Sequence, residues 1–202
     1  MLYLLIALGA YVIGSSSMAF YLSLITKKDV RKHGTGNLGA SNTMMLIGWK
    51  AAIAVAVHDI GKGIVAVLLA KWIFPDLEFA GAVAGAACVL GHIFPFYLKF
   101  KGGKGLASYI GILAGLDIRV AICVSIFLIV ITLGTDYIAL GTVATAIVGP
   151  GSLLLIQSWV VAAILGVASV VVILKHAENF RRLLNGTEVG LRGASKGKYR
   201  MK

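Results

Sequence analysis

Long apolar runs dominate this sequence and restrict it to a small set of folds. Of its 202 residues, 59% are hydrophobic and 25 are glycine, and the mean hydropathy is +0.93. A helix needs about 20 apolar residues to cross a bilayer, and glycines let such helices approach closely. The pattern predicts an all-α, polytopic integral membrane protein. We place its spans near 2–25, 51–74, 79–98, 105–116, 119–134, 138–156 and 158–176.

The charged residues predict the orientation of these spans. The fourth span is short, and residues 105–134 either cross twice or form a re-entrant hairpin interrupted by Asp117 and Arg119. In both cases the loops 26–50 and 99–104 share one side with the C-terminal tail, and that side carries fifteen Lys and Arg. The positive-inside rule then places the N-terminus outside and the C-terminus in the cytoplasm. The net charge of +11 fits anionic lipid headgroups and phosphorylated substrates better than nucleic acid.

A cationic loop, Lys-Phe-Lys-Gly-Gly-Lys-Gly, occupies Lys99–Gly105 between two apolar runs. Glycines let backbone N–H groups approach a ligand and lysines add positive charge, which together suit a phosphate at a membrane surface. The loop is not a Walker A motif, because Leu98 and Gly105 stand where that motif needs Gly and Ser or Thr. We call Lys99–Gly105 the glycine-lysine loop and predict a phosphate site there.

A second polar loop follows the first span. Gly34, Gly36 and Gly39 match the pattern GxGxxG, but a dinucleotide site needs a preceding strand, and a membrane span with basic residues precedes this one. Two interpretations remain, a connecting loop with turn residues or a ligand-binding loop. In the second interpretation, the side chains able to hydrogen-bond an oxyanion or a hydroxyl are Thr35, Asn37, Ser41 and Asn42.

Polar residues inside the apolar spans are expected to face the helix bundle. Asp59 and Lys62 are three residues apart and share a helix face, so they either support the functional site or form a structural ion pair. His92 is either a structural hydrogen-bonding residue or a ligand. Thr142 lies little more than one turn into the sixth span, and it either reaches the loops or bonds its own backbone.

The end of the last span carries a third polar group. If the helix continues beyond His176, that residue shares a face with Asn179 and Leu183, and Arg182 lies beside them. The three polar groups are then predicted to meet on the cytoplasmic face.

The domain organisation follows from the same pattern. We predict a transmembrane domain over 1–188 and a basic cytoplasmic tail over 189–202. The tail is rich in glycine and in basic residues, so it is expected to be disordered or to lie on the anionic leaflet.

The usual motifs of covalent and metal catalysis are absent from the sequence. It has no HExxH or GxSxG motif, and no histidine is followed five positions later by an aspartate. Cys88 and Cys123 both lie in apolar runs, so neither a disulfide framework nor a metal site is expected. The remaining cations, amides and hydroxyls can position phosphates and stabilise negative charge. We therefore expect a substrate that arrives already activated, and no cofactor.

Three stretches resemble the bacterial acyl-phosphate:glycerol-3-phosphate acyltransferase family. They are Arg31–Asn42, Gly91–Ser108 and His176–Glu188, together with Asp59 and Lys62-Gly63. The resemblance implies a seven-span, monomeric enzyme of the bacterial inner membrane, surrounded by membrane lipid, with its site facing the cytoplasm. It implies transfer of an acyl group from acyl phosphate to the 1-hydroxyl of glycerol 3-phosphate. The products would be lysophosphatidic acid and phosphate, in the first committed step of phospholipid synthesis.

The resemblance also implies roles for particular residues. The expected catalytic residues are Lys104, Thr35, Asn37 and His176. The expected substrate and phosphate ligands are Gly36, Ser41, Asn42, Lys101, Gly102, Gly103, Thr142 and Asn179. The expected supporting residues are Asp59, Lys62, Arg182 and Glu188. A substrate phosphate is expected to accept the hydroxyl proton, which would explain why no protein base is evident.

The sequence departs from the family pattern at three places. Met45 stands where the family usually has Arg, Ala139 stands where it has Ser, and Gly14–Ser17 lacks its usual Pro. Loss of a bidentate arginine clamp typically costs about 10² in rate, unless Lys50 or Arg31 compensates. Two alternatives therefore stay open beside the acyltransferase. One is a weakly active paralogue or one with another acceptor, and the other is a carrier for a small phosphorylated anion.

Overall fold

A computed structural model describes residues 1–195, and its regular elements over that range are all helices, which confirms the all-α class there. The helices are α1 (Leu2–Ser15), α2 (Met18–Thr26), α3 (Ala40–Leu46), α4 (Trp49–Ile73), α5 (Ala80–Ile93), α6 (Leu106–Leu116), α7 (Ile118–Thr135), α8 (Ile138–Ile156), α9 (Trp159–Lys175), α10 (Ala177–Leu184) and α11 (Leu191–Ser195). Single 3₁₀ turns occur at Val30–Lys32 and Phe96–Leu98. Residues 196–202 of the predicted basic tail lie outside the described residues.

Within residues 1–195, five helical segments are long and apolar enough to cross a membrane. They are Leu2–Thr26, Trp49–Ile73, Ala80–Leu98, Ile118–Thr135 and Ile138–Ile156. In the same range, α9 with α10 would be a sixth span only as a pair bent by 43°, and α6 is a shorter apolar helix. Every predicted span thus contains helix, and the segment boundaries differ from the prediction by at most two residues, although α5 itself ends at Ile93, five residues before the predicted end of the third span.

The chain forms two compact units, Met1–Leu116 and a second that begins at Asp117. In the first unit, α1 packs on α5, and α4 packs on α5 and α6. Glycines allow the close approach of these helices. A Cβ on Gly91 of α5, for example, would meet the backbone carbonyl of Tyr11 in α1.

The first predicted span is broken at its three serines. α1 ends at Ser15, and the Ser17 hydroxyl caps α2 by accepting the N–H of Phe20 at 3.3 Å. Serine is a favoured N-cap residue because its oxygen satisfies one of the N–H groups that have no partner within the helix. The break also presents the Ser16 carbonyl to a side chain from α4, as described below.

In the second unit, α8 packs against both α7 and α9. Asp136 has φ of 73° and turns the chain from α7 into α8. The segment at the start of α11 is bound to this turn, because the N–H of Leu191 donates to the Asp136 carbonyl at 2.8 Å and the N–H of Arg192 donates to its carboxylate at 2.9 Å. The first residues of the predicted tail are therefore ordered by contacts with the α7–α8 turn.

Candidate active site

The polar loop Thr35–Asn42 and the glycine-lysine loop rest on one small apolar core in the first unit. Val30, five residues before the polar loop, and Leu38, in the middle of it, are at most 2% exposed. Both belong to a buried cluster that includes Leu98, the residue directly before the glycine-lysine loop. Two of the three predicted polar groups are thus brought to a common core.

Asn42 organises the polar loop. Its Nδ2 donates to the carbonyls of Val30, His33 and Asn37 at 2.7, 3.1 and 3.1 Å, and its Oδ1 accepts the N–H of Thr35 at 3.0 Å. The residue is only 2% exposed, and both ends of its amide are used within the loop. This arrangement differs from the predicted role of Asn42 as a substrate ligand, because its hydrogen-bonding capacity serves the loop backbone.

The other predicted ligands of this loop face outward. Thr35, Gly36 and Ser41 are exposed, and Asn37 is half-buried. Gly36 has φ of 67°, a left-handed conformation that glycine adopts without a steric penalty. The loop therefore presents two hydroxyls and one amide around a tight turn.

Arg31 is bound to Asp29 at the start of the polar loop. Its Nε and Nη2 donate to the two carboxylate oxygens of Asp29, each at 2.9 Å. The hydrogen bonds from Arg31 lower the pKa of Asp29 from 3.8 to about 2 and in return raise the pKa of Arg31. Because its guanidinium is committed to Asp29, Arg31 is a poor replacement for the arginine that Met45 lacks.

Met45 lies beside the polar loop. Its methyl carbon is 3.6 Å from the position that a Cβ on Gly34 would occupy. A longer, charged side chain at this position of α3 would therefore start next to the loop backbone.

The glycine-lysine loop folds back on the end of α5. The N–H of Gly103 donates to the His92 carbonyl at 3.1 Å, and the N–H of Gly102 donates to the Ile93 carbonyl at 3.0 Å. These bonds satisfy carbonyls that have no partner within α5 itself. Lys99 and Phe100 adopt left-handed φ values of 53° and 58°, which reverse the chain.

The N–H groups of Gly102 and Gly103 are consequently occupied, which differs from the prediction that they bind phosphate directly. The cationic side chains of the loop include Lys101, which is exposed, and Lys104, which is half-buried. Lys104 lies two residues before Leu106, the first residue of α6. The first N–H groups of a helix have no partner within it and carry partial positive charge, so they add to the lysine charge.

A buried charged cluster lies beneath the glycine-lysine loop. The predicted pairing of Asp59 and Lys62 is confirmed, with Lys62 Nζ 2.9 Å from Asp59 Oδ1 and both side chains at most 5% exposed. Lys62 Nζ also lies 2.9 Å from His92 Nδ1 and donates to the Ser16 carbonyl at 2.7 Å. His58 joins the cluster through its Nδ1, 3.3 Å from Asp59 Oδ1.

The third polar group forms its own network in the second unit. Glu188 accepts hydrogen bonds from Asn179 Nδ2 and Arg182 Nε, each at 2.7 Å. His176 donates through Nδ1 to the Val172 carbonyl at 2.8 Å, because a carbonyl can only accept. A neutral imidazole bonded in this way has its lone pair on Nε2, which gives that atom the character of a proton acceptor.

Thr142 bonds its own helix. Its hydroxyl donates to the Ile138 carbonyl at 2.9 Å, and the residue is fully buried in α8. The sequence left open whether Thr142 reaches the loops or bonds its own backbone, and in the structure it bonds its own backbone.

Within residues 1–195, no group of three or more His, Cys, Asp or Glu is placed to hold a metal ion. The first unit offers lysine cations, hydroxyls and amides, which can hold phosphate groups. The second unit offers the His176 imidazole, whose Nε2 can orient a hydroxyl.

Sequence reasoning missed two contacts. The link from His92 to Lys62 joins residues thirty positions apart in different helices. The link from Asp136 to the segment at Leu191 joins a turn to the end of the described chain. No spacing rule in the sequence connects such pairs. The three serines after Gly14 were the only signal for the break between α1 and α2, where Lys62 binds the Ser16 carbonyl.

A sequence model described as glycerol-3-phosphate acyltransferase matches residues 4–186 of this chain. The chain belongs to this family. It is 35% identical over 191 residues to the glycerol-3-phosphate acyltransferase of Halalkalibacterium halodurans, covering 91% of this chain and 93% of the relative. It is 39% identical over 186 residues to that of Brucella anthropi, covering 91% of each.

The fold also matches solved structures of PlsY (YgiH), an integral membrane glycerol 3-phosphate acyltransferase. The glycerol 3-phosphate form superposes with a TM-score of 0.90 at 28% identity, covering 99% of this chain and 100% of that one. The lysophosphatidic acid form gives a TM-score of 0.87 with the same identity and coverage. The resemblance of the three sequence motifs to this family is therefore confirmed.

Proposed function

We infer that this protein transfers an acyl group from acyl phosphate to the 1-hydroxyl of glycerol 3-phosphate. The family match over residues 4–186 carries this inference. It is supported by the solved relatives, whose two forms hold glycerol 3-phosphate and lysophosphatidic acid. The choice of acyl phosphate as donor is supported by the lysine-rich loop, and by a set of side chains that suits an acyl group already activated by a phosphate.

In the proposed reaction, the acceptor hydroxyl attacks the carbonyl carbon of acyl phosphate. The new C–O bond joins the acyl group to glycerol 3-phosphate, and the old C–O bond breaks, so phosphate leaves with the electron pair. The hydroxyl proton passes to a phosphate oxygen. Lys104 balances the negative charge that grows on the leaving phosphate, a form of stabilisation that is large where water is excluded.

The predicted site residues divide into ligands and positioning residues. We assign substrate contact to Thr35, Asn37, Ser41, Lys101, Lys104, His176 and Asn179. His176 Nε2 is suited to accept a hydrogen bond from the acceptor hydroxyl, because Nδ1 holds the proton. We assign positioning roles to Gly36, Asn42, Gly102, Gly103, Thr142, Asp59, Lys62, Arg182 and Glu188.

We further propose seven membrane crossings, with the N-terminus outside and the C-terminus in the cytoplasm, in a monomer of the bacterial inner membrane. This topology is supported by the helix found in each of the seven predicted spans. It is also supported by the concentration of Lys and Arg in the loops between alternate spans. In this arrangement both loops of the first unit face the cytoplasm, where glycerol 3-phosphate would be found.

Met45 stands where the family usually has an arginine. This difference favours a second candidate function, that of a family member with weak activity or with another acceptor. Arg31 is engaged with Asp29, and Lys50 lies 5.8 Å from the centre of the Trp49 ring, so neither is committed to the polar loop. This candidate shares the fold and differs in rate or acceptor.

Purified protein supplied with acyl phosphate and glycerol 3-phosphate tests the proposal. The expected result is lysophosphatidic acid and inorganic phosphate in equal amounts, with Lys104→Ala losing most turnover and the exposed Lys28→Ala serving as the matched control. Uptake of a phosphorylated anion into liposomes without product would support the carrier instead. Neither product nor uptake would support the second candidate.

A further inference from the structure

His92 is almost buried, yet one of its nitrogens faces the glycine-lysine loop. The residue is 7% exposed and lies on the last turn of α5. A Cβ on Gly103 would collide with Nε2 of the imidazole, and it would also lie 2.6 Å from Cε1. Any side chain at position 103 would therefore clash with this edge of the ring, so only glycine lets the loop pass this close to Nε2.

The other nitrogen of His92 is held by Lys62. The Lys62 ammonium has three protons and three acceptors: the Ser16 carbonyl at 2.7 Å, Asp59 Oδ1 at 2.9 Å and His92 Nδ1 at 2.9 Å. An ammonium can only donate, so Nδ1 must offer its lone pair. A neutral imidazole then has its hydrogen on Nε2, the atom that faces the loop.

Among residues 1–195, no protein atom accepts a hydrogen bond from His92 Nε2, whereas Nδ1 lies against two groups of the charged cluster. A nearly buried N–H donor without a protein acceptor is costly unless another molecule accepts it. The nearest charged loop residue in sequence to Gly103 is Lys104, to which we assigned the phosphate.

We propose that His92 is a further substrate-contacting residue, whose Nε2–H donates a hydrogen bond to a phosphate oxygen held beside Gly103. Lys62 is the positioning residue, because it fixes the tautomer that makes Nε2 the donor. This proposal rests on the proposed function and adds a ligand to its phosphate site. The phosphate belongs either to glycerol 3-phosphate or to the acyl phosphate, since both present the same oxygens to a donor.

Steady-state kinetics of three variants test the contact. His92→Phe keeps a ring of similar size without the donor, and we expect it to raise the KM of one substrate about 10- to 100-fold, the range for a hydrogen bond to a charged group. The KM that rises identifies the phosphate. His92→Gln retains an amide N–H near the Nε2 position and should recover most of that loss. The exposed His33→Gln is the matched control.

Nitrogen-15 NMR of the histidine-labelled wild-type protein tests the tautomer without any turnover. The expected His92 spectrum has its hydrogen on Nε2, and the Nε2 signal moves when inorganic phosphate is added. In Lys62→Met the hydrogen should move to Nδ1, where Asp59 Oδ1 at 3.5 Å is the remaining acceptor. Because this measurement uses wild-type protein and phosphate alone, it stands even if His92→Phe does not fold or if no lysophosphatidic acid is formed.

Three results would overturn the proposal. The first is a hydrogen on Nδ1 in the wild-type protein, or an Nε2 signal that phosphate does not move. The second is a folded His92→Phe with both KM values within threefold of wild type. The third is an equal loss of kcat in His92→Phe and His92→Gln with unchanged KM values, which would indicate a purely structural residue. Absence of product in the wild type, with a phosphate-dependent Nε2 signal, would instead reject the proposed function alone.

Discussion

Replacement of Asn42 by alanine should disorganise the polar loop while leaving the helices in place. The Asn42 amide oxygen accepts one backbone N–H, and the amide nitrogen donates to three carbonyls. Its two N–H groups and one oxygen make about three net hydrogen bonds, each worth about 1 kcal/mol, so the loss is about 3 kcal/mol. Water can replace part of this at the exposed His33 and Thr35, but not at Val30, which is fully buried. We expect a net loss of about 2 kcal/mol in loop stability.

This loss of loop stability weakens substrate binding, because it lowers the fraction of molecules in which the loop is ordered. If only a fraction of molecules has the loop in its binding conformation, the apparent dissociation constant rises by the inverse of that fraction. A 2 kcal/mol destabilisation of a marginally ordered loop corresponds to a factor of about 30. The KM for glycerol 3-phosphate should therefore rise by about 10- to 30-fold in Asn42→Ala.

The assay combines kinetics with limited trypsin digestion at Arg31 and Lys32, which reports loop opening independently of turnover. Asn42→Asp keeps the acceptor for the Thr35 N–H but turns a carboxylate toward three carbonyls, so it should be impaired at least as much. Met44→Leu, at an exposed position of the same helix, is the control and should match wild type. An Asn42→Ala protein with unchanged KM and unchanged trypsin resistance would refute the assignment of Asn42 as the loop organiser.

Three further predictions follow from individual contacts. Glu188→Gln keeps an acceptor for Asn179 but loses the charge opposite Arg182, so turnover should fall about tenfold, and circular dichroism should show an unchanged helix content. Met45→Arg should lower the KM for glycerol 3-phosphate or raise kcat, by about tenfold or more, if the phosphate lies at the polar loop; an unchanged kcat/KM would place it elsewhere. Because the folded-state pKa of Asp29 is depressed to about 2 from 3.8, its pairing with Arg31 stabilises the loop above pH 4 and is lost as the pH falls toward 2. Hydrogen exchange should therefore show wild type better protected than Asp29→Asn at pH 7, with most of that difference gone near pH 2, and a difference of equal size at both would contradict this.

Much of the helical architecture could be predicted because hydrophobic runs and breaking residues are local signals. The end of α7 and the start of α8 were predictable to within a residue, since Asp136 interrupts two apolar runs. The face shared by Asp59 and Lys62 followed from helical periodicity alone. The serine break between α1 and α2 was harder to predict, because three small residues in an apolar run are also compatible with a continuous helix.

The site was less predictable because side-chain partners at long sequence separation decide it. Asn42 has an amide side chain of the kind that binds ligands, yet this amide donates to the backbone carbonyl of Val30. Gly102 and Gly103 have the composition of a phosphate loop, yet their N–H groups close the end of α5. In both cases the residue type indicated a polar loop, and it did not indicate whether the protein or a substrate would use its hydrogen bonds.

The proposed reaction requires a site that holds two phosphorylated reactants and forms no covalent intermediate with the protein. Rapid mixing of purified protein with acyl phosphate, in the absence of glycerol 3-phosphate, measures this directly through inorganic phosphate released in the first turnover. We predict no burst, and no acyl group bound to the protein by mass spectrometry, because transfer requires the acceptor hydroxyl. A burst of one phosphate per protein molecule with an acylated side chain would contradict direct transfer to the acceptor hydroxyl.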